Sequence, residues 1–202
     1  MNNVENKFLT TKTVVYLAIL TTLLVVLNLL STVFKVITNV NLTLIPIVLG
    51  ALLLGWKGGL TLGAISGIMT FVFGVTGVDA FTNFLFTQHP VLTFLTCFVK
   101  VALAGFVGGI LYKVINNKYV GVFVASAVIP VINTAVFIIG ALIMSDSISV
   151  LASAEGVSVI YFLIIMCAGV NFLIEFGINL LVAPAIHTVV KVLEKNAFRD
   201  RG

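Results

Sequence analysis

Long stretches without a single charged side chain set the strongest limit on this chain. No Asp, Glu, Lys or Arg occurs in residues 13–34, 58–78, 80–99 or 119–145. Each run approaches or exceeds the ~20 residues that an α-helix needs to cross ~30 Å of hydrocarbon, where every backbone polar group must be satisfied within the segment. Across 202 residues, 60% are apolar and 9% charged, whereas a soluble domain carries roughly 25% charge. The chain is therefore read as an all-α integral membrane protein, which excludes disorder and a single-span anchor. Pro and Gly fall inside apolar segments rather than in polar linkers, so residues 1–202 form one membrane domain. Cys97 and Cys167 lie in apolar stretches without CxxC spacing, which gives neither a disulfide framework nor a zinc ribbon. The first run is longer than a signal-peptide core and lacks a small-x-small cleavage site, so it reads as a retained helix.

Punctuation by polar and turn residues divides the chain into six spans, about 13–34, 42–56, 60–75, 90–112, 119–144 and 159–191. The second, closed by Trp56-Lys57-Gly58-Gly59, reaches only ~22 Å at 1.5 Å per residue and so crosses incompletely unless neighbours cover its end. The stretch Thr76 to His89 reads as a re-entrant or surface-lying loop, and Ser145 to Ser158 as a polar loop. With the N-terminus in the cytoplasm, Lys7, Lys12, Lys57, Lys113, Lys118, Lys191, Lys195, Arg199 and Arg201 all fall inside, and only Lys35 falls in an outer loop. The positive-inside rule thus predicts a six-helix bundle with both termini cytoplasmic. Membrane topology accounts for the net charge of +4, and no nucleic-acid partner is implied.

Lys100 and Glu175 are the charges that topology leaves over. Both fall near the middle of a span, where an ionisable group costs at least ~2.5 kcal/mol and marks either a substrate path or a buried pair. Lys100 could hold an anionic ligand group, or the two residues could form a structural ion pair. Asn171, Glu175 and Asn179 follow at intervals of four along one helical face. Thr96 lies one turn before Lys100, and Asn133 and Thr134 come from the fifth span. Together they read as a pocket for a small polar molecule, or as interhelical hydrogen bonds worth ~1 kcal/mol each. Asn83 and His89, from the outer stretch that is a candidate lid, are added as ligand contacts, although His89-Pro90 also reads as a plain helix start. In the first span, Ala18 and Thr22 are four apart with Thr21 between them, suiting close approach of another helix, internal or from a partner subunit. No P-loop, G-x-S-x-G or HExxH occurs, and the two histidines fall at opposite ends of the bundle. No catalytic residue, metal ligand or cofactor is assigned, and the chain is not read as an enzyme.

Several blocks resemble the substrate-binding S component of energy-coupling factor (ECF) transporters. They are Leu44-Ile45-Pro46 through Gly50-Ala51 to Gly55, the glycine-rich stretch Lys100 to Lys113, Pro130-Val131-Ile132-Asn133-Thr134, and Asn171-Phe172-Leu173-Ile174-Glu175. The resemblance implies a six-helix protein of the bacterial plasma membrane that captures a vitamin and associates with a transmembrane coupling subunit and two ATPases. In the family an A-x-x-x-A motif in helix one meets the coupling subunit; here Thr22 replaces the second alanine. Asn2 and Asn3 stand where cobalt and nickel members carry histidine, and Trp56 lies away from the outer face, unlike the tryptophans of thiamin members. One lysine with several amides and hydroxyls suits a small, hydroxylated, non-aromatic anion, and pantothenate fits that description. The competing readings are an autonomous six-helix secondary transporter or channel coupling through Lys100 and Glu175, and a membrane scaffold subunit.

Overall fold

The computed structural model describes residues 11–34 and 42–199. The readings for the head before Thr11, the outer loop with Lys35, and Arg201 lie outside the described residues. Within them the chain is helical, with no strand. The helices are α1 (Thr11–Phe34), α2 (Leu44–Leu53), α3 (Gly55–Val75), α4 (Ala80–Gln88), α5 (Pro90–Val114), α6 (Lys118–Ile143) and α7 (Ser145–Ala154). The last, α8, opens with Val159–Tyr161, passes through π geometry at Phe162–Gly169 and continues as Val170–Arg199. Five of these are long and apolar enough to cross a membrane, and α2 is a shorter apolar helix, so the molecule is a multi-pass helical membrane protein.

Local chemistry sets the helix ends. Asp79 caps α4 by accepting from the Thr82 N–H at 2.9 Å, Asn117 caps α6 through Val120, and Ser158 caps α8 through Tyr161. Pro90 occupies the first turn of α5, where its missing N–H costs nothing and its fixed φ suits the helix. Gly55 joins α2 to α3 at φ 69°, a left-handed conformation that other residues adopt only with strain.

Both stretches read as loops are helical. The sequence 76–89 forms the nine-residue α4, because Asp79 satisfies its first turn, and Ser145–Ala154 forms α7, with Ser147, Ile148 and Ala152 buried. Apolar residues beneath these helices supply the reason: Leu85, Met144, Ile148 and Leu163 make a second buried cluster that neither loop would complete.

The principal core joins Leu24, Leu44, Ile47, Val48, Leu62, Val101, Val122 and Ile129, all fully buried. Its tightest seam is between α3 and α5. A Cβ at Gly67 would lie 2.7 Å from the Cys97 carbonyl oxygen, and a Cβ at Gly59 or Gly63 would overlap the backbone of Gly105 or Val101. The residues 59, 63 and 67 are spaced by four and face 105, 101 and 97 in reverse order, so the helices are antiparallel and in backbone contact, as small-residue seams allow in membranes. Gly108 against Ile129 and Gly140 against Thr96 continue the antiparallel order into α6. Only 11% of the apolar window of α1 is buried within the protein, against 39% for α3 and α5, so α1 forms an outer wall.

Candidate functional site

A cavity of about 260 Å³ opens at the end of the bundle where α1 and α3 finish. Asn28 and Ser31 enter it from α1, Thr70 and Phe73 from α3, and Asp79, Phe81 and Thr82 from the start of α4. Lys100 rises from α5, while α6 adds Asn133, Thr134 and Phe137. The opposite wall is α8, with Met166, Cys167, Ala168, Asn171, Phe172 and Glu175. Its volume is just below the roughly 300–1,000 Å³ usual for small-molecule pockets, and its mixture of rings with a few convergent polar groups is what such pockets use.

Lys100, Asn133, Asn171 and Glu175, far apart in the chain, therefore share one chamber. The Lys100 ammonium lies 5.3 Å from the centre of the Phe137 ring, a cation–π contact. Lys100 and Glu175 line the same cavity. Glu175 is buried and already engaged by other groups. Asn133 is 6% exposed, and its Oδ1 has no hydrogen-bond partner among the described residues. A buried acceptor left unmade costs about 1–3 kcal/mol, so this atom marks a place where a donor is called for.

The π segment of α8 shapes the far wall. Met166, Cys167 and Ala168 lie in it and line the cavity, and the Asn171 Nδ2 donates to the Cys167 carbonyl at 2.9 Å. π segments inside α-helices occur frequently at functional sites. About two turns further on, Asn179 Nδ2 donates to the Glu175 carbonyl at 2.8 Å. The recorded bonds of both amides run within their own helix, rather than across to a neighbour as interhelical bonding would require.

Other predicted contacts stand elsewhere. Thr96 lines a side chamber of about 20 Å³ that shares Lys100, Phe81, Thr82 and Phe137 with the main cavity, and its side chain packs where Gly140 leaves room. Asn83 is not on the cavity wall; its Nδ2 donates to the Gly74 carbonyl at 2.8 Å and ties α4 to the end of α3. His89 is also off the wall, with Nε2 3.0 Å from an Asp146 carboxylate oxygen, linking the start of α5 to α7. A hydrogen bond from the Ser147 backbone N–H, and then the His89 side chain, hold the Asp146 carboxyl below the usual carboxylate range against an opposing desolvation effect. His187 packs edge-on against Tyr119 with centroids 5.2 Å apart, at the other end of the bundle. No cluster of His, Cys, Asp or Glu suited to a metal occurs among the described residues.

The strip on α1 divides. Ala18 and Thr22 are exposed, with the Thr22 hydroxyl donating to the Ala18 carbonyl at 2.9 Å, and Thr21 is half-buried. Asn28 and Ser31 are buried and face the cavity. Sequence reasoning also missed Asp79, Thr70 and the four phenylalanines of the wall. For Asn28 the signal was available, since a polar amide deep in an apolar run needs an interior partner; for the phenylalanines no signal separates a cavity ring from a core or lipid-facing one. No family model, curated protein or solved structure matches this chain.

Proposed function

We propose that this chain is a high-affinity binding subunit for a small polar anion, working as the S component of an ECF-type vitamin importer with pantothenate as its ligand. The observation that carries the reading is the cavity at one end of the bundle, where Lys100 shares a wall with rings, hydroxyls and the amides of Asn133 and Asn171. A carboxylate suits Lys100, and hydroxyls suit Asn171, Thr134 and Glu175. The role is capture and release rather than chemistry.

Six crossings with both termini cytoplasmic complete the reading. Late residues of both α1 and α3 line the same cavity, which supports a return of the chain between them with α2 contributing to it. The lysines at the other end of the long helices, Lys12, Lys57, Lys113, Lys118 and Lys191, favour that end as cytoplasmic and the cavity as outward-facing. The plasma membrane of a bacterium is the expected location. Ala18, Thr21 and Thr22 would present α1 to a transmembrane coupling subunit, with two ATPases supplying the energy.

Isothermal titration of the purified protein with pantothenate tests the ligand: micromolar or tighter binding is expected, and no heat at micromolar concentrations overturns it. A second reading, an autonomous secondary transporter, draws on Lys100 and Glu175 sharing one cavity. Uptake that persists in cells lacking any coupling module would favour it over the first.

A further inference from the structure

The cavity wall holds more negative than positive charge. Among the described residues its ionisable groups are Asp79 at the start of α4, Lys100 on α5, and Cys167 and Glu175 on α8. The thiol is neutral near pH ~7, so two carboxylates share the wall with one ammonium. α1, α3 and α6 bring only amides, hydroxyls and rings to it. α2, which packs against α8, has no titratable side chain, and His187 lies at the other end of the bundle against Tyr119. Nothing else on the page balances the second carboxylate when an anion arrives beside Lys100.

The two acids differ in setting. Asp79 is half-buried and accepts the Thr82 N–H at 2.9 Å, a cap contact at the positive end of α4 that suits an ionised carboxylate. Glu175 is 7% exposed and falls near the middle of the span Val159–Leu193, where an ionised group is costly. We propose that Glu175 is a proton-binding site, so that the anion enters this cavity together with a proton carried on the Glu175 carboxyl. The one bond made is the O–H of that acid; its proton comes from solvent on binding and goes back on release. One proton taken with one anion leaves the charge of the wall as it was before. Protonated, Glu175 gains a donor that its ionised form lacks, matching the acceptors that an anionic ligand presents. The inference rests on the ligand reading above only in requiring an anion, and proton co-binding is an equilibrium property that needs no coupling module.

Titration calorimetry of the purified full chain with pantothenate counts the protons. At pH ~7, where the ligand is ionised, the binding heat is expected to differ between phosphate and imidazole buffers by the heat of the proton that each supplies. The complex holds more protons than the free protein, so affinity falls as pH rises from ~6 to ~8, by up to tenfold per unit. Glu175→Gln is expected to lose both the buffer dependence and the pH dependence, while Asp79→Asn keeps them. Equal heats in the two buffers, with a dissociation constant that does not move over this range, refute the proton site and leave the ligand reading intact. Proton uptake that survives in Glu175→Gln refutes it too, by placing the proton elsewhere. If the native protein does not bind pantothenate, the ligand reading fails and the proton site fails with it. Should Glu175→Gln not fold, Asp79→Asn decides: uptake retained there supports Glu175, and uptake lost there overturns it.

Discussion

Replacing Lys100 by Met separates the two meanings of a charge inside the membrane. Met keeps the length and apolar stem of the side chain and removes only the ammonium. The free protein loses the cation–π contact with Phe137, worth ~0.5–2 kcal/mol. It also sheds the cost of an ionised group at mid-depth, ~2.5 kcal/mol or more. The second figure is at least as large as the first, so the variant is expected to melt in detergent at the same temperature as the native protein or above it. Ligand binding moves the other way. A charge-assisted hydrogen bond to a carboxylate contributes ~1.5–3 kcal/mol, which at ~1.4 kcal/mol per tenfold is a loss of roughly 10- to 150-fold in affinity. Calorimetry with pantothenate and with its neutral carboxamide completes the cycle: the native protein should prefer the acid, and Lys100→Met should bind both alike. An unchanged dissociation constant, or an undiminished preference for the acid, refutes a ligand role for Lys100. A variant that no longer folds shows instead that the ammonium is structural.

Three further outcomes follow from the packing. Gly63→Ala places a methyl against the Val101 backbone and should cost ~1–3 kcal/mol, read as a lower melting temperature, while Gly177→Ala, with nothing within 4 Å, should lose none. The lowered Asp146 carboxyl stabilises the folded state above the ordinary carboxylate range, near pH ~4, and that contribution disappears as pH falls through its lower folded value. Hydrogen-exchange protection factors in residues 145–154, corrected for the intrinsic pH dependence of exchange, should therefore fall in acid, and Asp146→Asn should remove that fall. Thr22→Trp enlarges an exposed position on α1 remote from the cavity, so ligand binding should persist while uptake through a coupling module is lost; equal loss of both counts against a docking role.

The site was half legible for reasons that lie in helix geometry. Lys100, Asn133, Asn171 and Glu175 stand out because an apolar run advertises each polar exception, and all four line the cavity. Asn28 and Ser31 lie on the same helix as Ala18 and Thr22. Yet residue 31 follows residue 22 by nine positions, about half a turn out of phase at ~100° each, and the structure buries one pair while exposing the other. The outer-end position of their stretch puts Asn83 and His89 beside the ligand by sequence, whereas in the fold Asn83 bonds the Gly74 carbonyl and His89 pairs with Asp146. That helix was invisible by pattern because its nine residues mix polar and aromatic side chains over too few turns to establish a period.

Membership in the membrane, the long helices and the rarity of charge are properties of composition and run length, and the amino-acid order alone decides them, because lipid tests each segment for hydrocarbon and each backbone group for a partner. Which rare polar groups meet is a different matter. The α3–α5 glycine seam sets how closely the helices approach, the π segment of α8 supplies part of the cavity wall, and the short helices α4 and α7 share a buried cluster with α8. Those are relations between distant segments, so the pairing of Lys100 with Phe137 and the orphaned oxygen of Asn133 came into view only with the tertiary structure.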